Sequence, residues 1–484
     1  MPDFPFKTKP FDHQREEFEI SLRMPSRCLF WEMGTGKSKP VIDQAAALYM
    51  AGEIDAALVL APNGVHQNWI LDELPTHMID EVETPTFIWE SKRRKTKIFA
   101  EEYAAFNNSP GLPWLAVTYD AIMTDDCAKN VRKYLDSQRV FYIADETTFI
   151  KTPGAKRTKR VIASGRHAAF TRVLNGTPVS DSPFHAYSQV RFSDPNFWKR
   201  RFGLGSYTEF KSYFGIWETF KRRDGHQYPQ LIRYRNLDQL HDALDEVGSR
   251  VLKDDVLDLP PKVYNKIYYQ LSPAQKKLYE ELKTDFVAWF GDGSSVTAEL
   301  AIVRMTRMQQ ICSGYLPADD EKDLRLICPE LPRIKLLMET LETVPRQALI
   351  WARYDIDIDT IAQALKQAKI PFVTYDGRTS SADRQKAKVD FQAGRAKIFL
   401  GKPSAAGRGL TLTAADTVIF YNNTFVLDDR LQAEDRAHRI TQENKVNYID
   451  LVAAGSVDEH ILKILREKRD VSAYVMGDQL GVWV

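Results

Sequence analysis

The sequence holds only four cysteines, Cys28, Cys127, Cys312 and Cys328. They form no CxxC pair and fall into no His/Cys cluster with zinc spacing. The spacing therefore argues against a structural metal and for reduced thiols acting as small buried hydrophobes. No apolar run reaches the roughly 18 residues that would argue a membrane span. The amino-terminal stretch MPDFPFKTKPFDHQ lacks the apolar core of a signal peptide. The expectation is an intracellular protein without membrane contact, cytoplasmic or nucleoid-bound in a prokaryote or virus and nuclear in a eukaryote. Net charge is missing as well: 66 basic side chains face 65 acidic ones. Overall charge therefore says nothing for a polyanionic partner. There is no short-period repeat and no low-complexity tail.

The 484 residues, 44% hydrophobic and 27% charged, suit roughly two to four domains with sizeable cores. Local basic runs stand out: Lys92-Arg93-Arg94-Lys95, Lys156-Arg157 with Lys159-Arg160, Lys199-Arg200-Arg201 and Lys221-Arg222-Arg223. Each by itself reads first as a solvated face.

Short apolar runs bounded by turn residues recur, with helical stretches between them. The first set is Ala56–Ala61, Trp114–Thr118, Val140–Ala144 and Thr171–Leu174. The second is Ala348–Ala352, Phe372–Tyr375, Lys397–Leu400, Thr417–Tyr421 and Val446–Leu451. Each run is too short for a helix and apolar on both faces, as a strand of a parallel sheet covered on both sides must be. Alternation with helices predicts an α/β fold with parallel sheets, twice over. Between the sets, residues 182–250 are rich in Phe, Tyr, Trp and basic residues without strand periodicity. The aromatics Tyr207, Phe210, Tyr213, Phe214 and Trp217 recur at helical spacing and read as the core of an insertion rather than a base-stacking platform. Residues 272–315 read as helical, starting at Ser272-Pro273 and broken at the GDGSS of 291–295. Leu259-Pro260-Pro261 reads as the joint between halves. The expected domains are 1–250, with an insertion at about 182–250, and 251–484, with a helical insertion at about 272–315.

Three motifs carry chemistry. Trp31–Ser38 (WEMGTGKS) follows the strand-like Leu29-Phe30 and opens a helical stretch, which is the setting a phosphate loop needs. Gly34, Thr35 and Gly36 form its turn, with the glycines letting the backbone aim N–H groups at phosphates. Lys37 reaches the β- and γ-phosphates, and Ser38 offers a hydroxyl to Mg²⁺ at a helix N-terminus that favours anions. Asp145-Glu146 ends an apolar run, and paired carboxylates there are costly unless they serve an ion. Asp145 would hold Mg²⁺, and Glu146 would polarise the attacking water. The third motif is Gln432–Gln442 (QAEDRAHRITQ), where Arg436 and Arg439 lie three apart on an expected helix and share a face. His438 within it reads as a packing residue, and Trp69 and Trp351 read as core.

The order of these motifs resembles the superfamily 2 helicases, and specifically the Swi/Snf-type chromatin-remodelling ATPases, over nearly the whole chain. Phe11-Asp12-His13-Gln14 resembles the adenine-reading segment, with Gln14 in the glutamine's place. Leu58–Trp69, Leu174–Pro178 (LNGTP), Ala348–Tyr354, Asp376–Arg384 (DGRTSSADR), Ser404–Asp416 (SAAGRGLTLTAAD) and QAEDRAHRITQ resemble further family motifs. Thr147-Thr148 stands where a small residue and histidine are usual, Thr411 where asparagine is common, Thr441 where glycine is common, and Trp31 is unusual beside the loop. The resemblance implies two RecA-like lobes with helical insertions, ATP and Mg²⁺ as cofactors, and double-stranded DNA gripped by its backbone as partner. It assigns Gln14, Gly407 and Gly409 to nucleotide binding beside the loop residues and Asp145, and Arg436 and Arg439 as finger arginines acting with Lys37 and Glu146. The implied function is an ATP-dependent translocase on duplex DNA. A strand-separating DNA or RNA helicase and a nucleotide-gated binding subunit of a larger complex remain the alternatives. Chemistry divided between two halves closes only when they meet, which ties ATP binding to a change of shape.

Overall fold

A computed structural model describes residues 4–221, 227–291, 298–317, 324–404, 410–479 and 483. Gly407 and Gly409, the two expected nucleotide-binding glycines of the second half, lie outside the described residues, as do Arg222, Arg223 and most of the GDGSS break.

The strands, in chain order, are β1 (Ser26–Trp31), β2 (Ala56–Ala61), β3 (Thr86–Ile88), β4 (Trp114–Thr118), β5 (Val140–Asp145), β6 (Phe170–Leu174), β7 (Gly215–Lys221), β8 (Gln227–Tyr234) and β9 (Gly248–Val251). They continue with β10 (Lys262–Tyr269), β11 (Tyr315–Pro317), β12 (Leu324–Leu326), β13 (Gln347–Trp351), β14 (Phe372–Tyr375), β15 (Ile398–Gly401), β16 (Ala415–Phe420) and β17 (Val446–Ala453). The chain divides into two compact units. The first comprises Met1–Gly215, Tyr234–Asp258 and Val471–Gln479, and the second Ile216–Arg233, Leu259–Asp470 and Leu480–Val484.

The first unit is built on a parallel sheet ordered β3-β4-β2-β5-β6-β1-β9. The second is built on a parallel sheet ordered β10-β17-β16-β13-β15-β14. The nine strands expected from apolar runs all form, with ends within two residues of the sequence reading. Most of their side chains are buried, with Leu58, Val59, Phe141, Ile143, Leu349 and Ile419 each at most 1% exposed, while the edge strand β14 is largely half-buried. Helices cover both faces, so each sheet has the doubly covered α/β build that its continuous apolar strands require.

The region 182–250 differs from the sequence reading. It does hold the helices Ala186–Ser193, Phe197–Phe202, Tyr207–Phe214 and Leu237–Val247, but it also holds β7 and β8, paired as a two-stranded sheet, and the edge strand β9. Trp217 therefore sits in a strand and not on the helical face assigned to it. The aromatic core itself forms: Trp198 packs its ring 4.7 Å from Phe210, which lies 4.7 Å from Phe214, and all three are buried. In 272–315 two helices form, Pro273–Gly291 and Ala298–Ser313. Ser272 caps the first by accepting from Gln275 N at 3.3 Å, while Gln275 Oε1 accepts from Ser272 N at 3.1 Å, a reciprocal capping box.

Most arginines of the basic runs are tied to acids. Arg93 pairs with Glu102, Arg94 with Asp126, Arg157 with Asp120, Arg160 with Asp125, Arg200 with Asp194 and Arg201 with Glu246. Cys28, Cys127 and Cys312 are free and buried, and Cys328 is free but half-buried. Burial pushes the Cys28 thiol up to about 12. No described helix is long and apolar enough to cross a membrane.

One buried charge network fastens the second sheet. Arg430 contacts Asp450 through Nη1 at 2.5 Å and Nη2 at 3.1 Å, contacts Glu434 through Nε at 2.8 Å, and lies 3.6 Å from the centre of the Phe420 ring. Glu434 also accepts from the Tyr264 hydroxyl at 2.7 Å and the Trp483 indole at 3.2 Å. Removing one partner of such a set leaves a guanidinium buried without its full complement. Asp450→Ala is therefore expected to destabilise the second unit by about 3 kcal/mol or more in chemical denaturation. A loss below about 1 kcal/mol would contradict the role given to this network.

Candidate active site

Because the strands of the first sheet are parallel, their carboxyl ends share one edge. Four segments leave that edge: 32–37 after β1, 62–68 after β2, 146–150 after β5 and 175–178 after β6. Open α/β sheets bind ligands at this edge, where loops and helix N-termini converge. The sequence-predicted residues of the first half lie on these segments, at their junctions with β5 (Asp145) and with the helix Ser38–Met50 (Ser38), and on the helix Asp12–Ser21.

The segment after β1 leads into the helix Ser38–Met50. Gly34 and Gly36 take φ of +86° and +78°, in the left-handed region that costs a side chain strain. A Cβ on Gly36 would overlap Gln14 Nε2. Gln14 reaches the loop by donating from Nε2 to Gly36 O at 3.1 Å, and its Oε1 accepts from Phe11 N at 2.9 Å. His13 Nε2 lies 3.0 Å from Thr35 O. The Thr35 hydroxyl donates to Glu32 O at 2.8 Å. Lys37 folds back on its own loop, with Nζ donating to Trp31 O at 2.8 Å and Glu32 O at 3.0 Å. Trp31 is fully buried, with its indole donating to Ser249 Oγ on β9 at 2.8 Å. That packing accounts for a tryptophan where the family has a smaller residue.

Asp145 closes β5. Its Oδ2 accepts from the Trp69 indole at 2.9 Å, its Oδ1 accepts from Glu146 N at 2.9 Å, and its carbonyl accepts from the Tyr119 hydroxyl at 2.8 Å. Burial raises its carboxyl above the usual carboxylate range, while the Trp69 bond and the Lys37 ammonium oppose the rise. Glu146 is the first residue past the strand and takes φ 53° and ψ 55°. A left-handed non-glycine residue costs roughly 1–3 kcal/mol and persists where the fold imposes it.

Trp69 is buried as expected of a core residue, and the acceptor its indole needs turns out to be the site carboxylate. It opens a one-turn π-helix, Trp69–Glu73, of a kind often found at functional sites. The far end of that turn brings in Glu73, which the sequence reading missed. Burial raises Glu73 above its ordinary range, and the Ser38 hydroxyl nearby opposes the rise. Lys253, also missed, is 2% exposed, and its Cε lies 3.6 Å from where a Cβ on Gly34 would sit. Its backbone N–H donates to Glu32 Oε2 at 2.8 Å.

The altered Asp145-Glu146-Thr147-Thr148 segment is joined to LNGTP by a buried triad. Thr147 Oγ1 donates to Gln189 Oε1 at 2.6 Å, and Asn175 Nδ2 donates to the same oxygen at 2.5 Å and to Thr147 Oγ1 at 3.2 Å. Asn175 Oδ1 accepts from Thr177 N at 3.0 Å. The link is made by Thr147, which stands where a small residue is usual; the hydroxyl of Thr148, at the histidine's position, is buried without a hydrogen-bond partner among the described residues.

In the second unit, Arg436 and Arg439 are not helical, contrary to expectation. The helix Leu427–Glu434 stops before them, and residues 435–440 form turns. The cause is mostly long-range: Gln442 Nε2 donates to the carbonyls of Thr413, Ala415 and Ala437 and pins a tight reversal. Arg436 is 2% exposed and donates to Leu410 O at 3.2 Å. Arg439 donates to Asp435 O at 3.1 Å and to Thr411 Oγ1 at 3.1 Å. Thr413 and Thr441 join hydroxyls at 2.9 Å. Two of the departures from the family pattern, Thr411 and Thr441, thus hold the arginine loop. His438 packs, as expected: it is buried with Nε2 2.8 Å from Pro260 O.

The SNF2-related domain model matches residues 18–315, and the helicase conserved C-terminal domain model matches residues 332–441. The chain belongs to the SNF2-related family. Among its relatives is the mouse "DNA annealing helicase and endonuclease ZRANB3" (Mus musculus), 28% identical over 99% of this chain and 41% of that protein. An "Uncharacterized ATP-dependent helicase MG018" of Mycoplasma genitalium is 24% identical over 91% of this chain and 39% of the relative. This chain therefore spans about two fifths of the length of these curated relatives. A solved chain, the "Sulfolobus solfataricus SWI2/SNF2 ATPase core in complex with dsDNA", aligns over 98% of this chain and 95% of that chain at 21% identity and a TM-score of 0.42.

The loop geometry yields a test. Gly36→Ala adds left-handed strain of about 1–2 kcal/mol and displaces Gln14. Affinity for a fluorescent ATP analogue is expected to fall about tenfold, the equivalent of about 1.4 kcal/mol. Wild-type affinity in this variant would contradict the cradle described.

Proposed function

We propose that the chain hydrolyses ATP and uses the reaction to move along double-stranded DNA. The observation that carries the proposal is the meeting, at one sheet edge, of a glycine loop holding a lysine and a strand-end carboxylate pair whose first member feels that lysine's charge. The family match and the relatives named as DNA annealing helicase and ATP-dependent helicase support it.

The residues fit a magnesium nucleotide. The loop amides and the N-terminus of Ser38–Met50 favour an anion. Lys37 exchanges the carbonyls of Trp31 and Glu32 for β- and γ-phosphate oxygens. Gln14, already fastened to the loop and to Phe11 N, stands where the adenine is read. Ser38 and Asp145 would hold Mg²⁺, which neutralises charge on the β- and γ-phosphates when bound. Glu146, the first residue past the strand, orients the attacking water. Arg436 and Arg439 supply positive charge to the transition state. Arg439 is carried on a turn, with the Asp435 carbonyl and the Thr411 hydroxyl among its contacts.

The Thr147–Gln189–Asn175 triad supports coupling of hydrolysis to motion. It is a fully buried hydrogen-bonded link from the carboxylate segment to LNGTP, so a change of position at Glu146 cannot leave Asn175 undisturbed. Contact with the DNA backbone alone would make binding tolerant of sequence and steeply dependent on salt.

Glu146→Gln is expected to lower ATP turnover by about 100-fold or more while retaining ATP binding, and wild-type protein is expected to be stimulated by duplex DNA and to displace the third strand of a triplex. Undiminished turnover in the variant refutes the role of Glu146. ATP turnover without triplex displacement refutes translocation.

A further inference from the structure

The first unit carries a second concave site, apart from the residues assigned to nucleotide. It is a cavity of 560 Å³ bounded by the helix Lys156–Gly165, the helix Ala186–Ser193 and the start of the helix Tyr207–Phe214. Lys159 and Ile162 of the first of these helices and Arg166 at its C-cap line it, at i, i+3 and i+7 spacing. Arg191 enters from the second helix, and Tyr187 and Tyr207 complete the wall. None of its lining residues is acidic.

The contrast along one helix is informative. Arg157 and Arg160, on the neighbouring face, are each bound to an aspartate, at 2.5 Å and 3.0 Å. Lys159 and Arg166 form no ion pair or side-chain hydrogen bond with another described residue. Arg191 is held in place: its guanidinium lies 5.3 Å from the centre of the Tyr187 ring, Nη1 donates to the Tyr187 hydroxyl at 3.3 Å, and Nε donates to Pro195 O at 3.4 Å. The Tyr207 ring lies 5.1 Å from that of Tyr187. The amides of Gly205 and Ser206 at the third helix are taken by the Glu209 carboxylate. The positive charge facing the cavity is therefore that of the three side chains and not of a helix end.

We propose that this cavity binds the phosphodiester backbone of DNA, as a contact separate from the nucleotide site. The inference rests on the DNA-translocase reading above. Three cations without an acid, one of them pre-set against a tyrosine, match a ligand that presents successive phosphates. Such contacts release condensed counterions, and each adds about 0.9 to the dependence of log K on log salt. A chain with a net charge of +1 must concentrate its positive charge in such places to hold a polyanion.

The test is fluorescence anisotropy of a labelled mixed-sequence duplex with the full chain, over a range of KCl. The variants are Lys159→Ala with Arg166→Ala and, as control, Arg200→Ala with Arg201→Ala, whose arginines are already paired. The first pair is expected to reduce the salt slope by about 2 and to weaken binding tenfold or more at low salt. Turnover of ATP without DNA should equal wild type, and the control should leave the slope unchanged. If wild-type protein binds duplex and the Lys159/Arg166 variant keeps its slope and affinity, the cavity is not a backbone site and the proposal is overturned. If the control loses as much as the variant, the effect is one of general charge, and the proposal is likewise overturned. If wild-type protein binds no duplex, the translocase reading itself fails and takes the proposal with it.

Discussion

A lysine ammonium and a strand-end carboxylate occupy the carboxyl edge of an apolar sheet, and both must be satisfied there. The folded chain does this with local groups: two carbonyls of the loop hold Lys37, while an indole and a backbone amide hold Asp145. Because the sheet is parallel, the loops that follow β1, β2, β5 and β6 all arrive at this edge, and each brings one piece of the arrangement. Trp69 arrives from the second, Glu146 and Thr147 from the third and Asn175 from the fourth. The other features of the first unit, from the buried Trp31 to the left-handed Glu146, follow from fitting these groups into one place. The ligand that would relieve the constraint has the complement of these charges: phosphate for the lysine and a cation for the carboxylate.

What the sequence disclosed was what local chemistry alone decides. Nine strands are continuous apolar runs because both faces of a parallel sheet are covered, and such runs have few other uses. The turn at Gly34–Gly36 was legible because glycines at φ of +86° and +78° are the residues that tolerate it. The edge strands β3, β9 and β10 were not read. β3 and β9 are very short, and β10 (KVYNKIYY) is half exposed, so none shows the apolar run used as the signal. β7 and β8 expose much of their length and carry no core pattern to detect.

The site was less legible than the fold. Lys37, Ser38, Asp145 and Gln14 were named from motif chemistry, and the structure places Gln14 on Gly36 and Lys37 Nζ on the carbonyls of Trp31 and Glu32. Glu73, Lys253 and Gln189 could not be named, because they reach the site through tertiary contacts rather than motif spacing. Trp69 carried a partial signal: a buried indole usually finds an acceptor, and here that acceptor is Asp145. The helical reading of Arg436 and Arg439 failed for a long-range reason. Three carbonyls bonded to one glutamine, Gln442, overrule helix propensity.

Most departures from the family pattern have a structural role, although the buried Thr148 hydroxyl has no hydrogen-bond partner among the described residues. Thr147 links to LNGTP, Thr411 holds Arg439, Thr441 bonds to Thr413 and Trp31 fills the space against β9. The most direct measurement is a co-crystal structure with Mg²⁺ and a non-hydrolysable ATP analogue. The account predicts Lys37 Nζ released from the carbonyls of Trp31 and Glu32 and bonded to the terminal phosphates, with the metal on Ser38 and Asp145. A nucleotide bound elsewhere, with Lys37 still on its own loop, would contradict it.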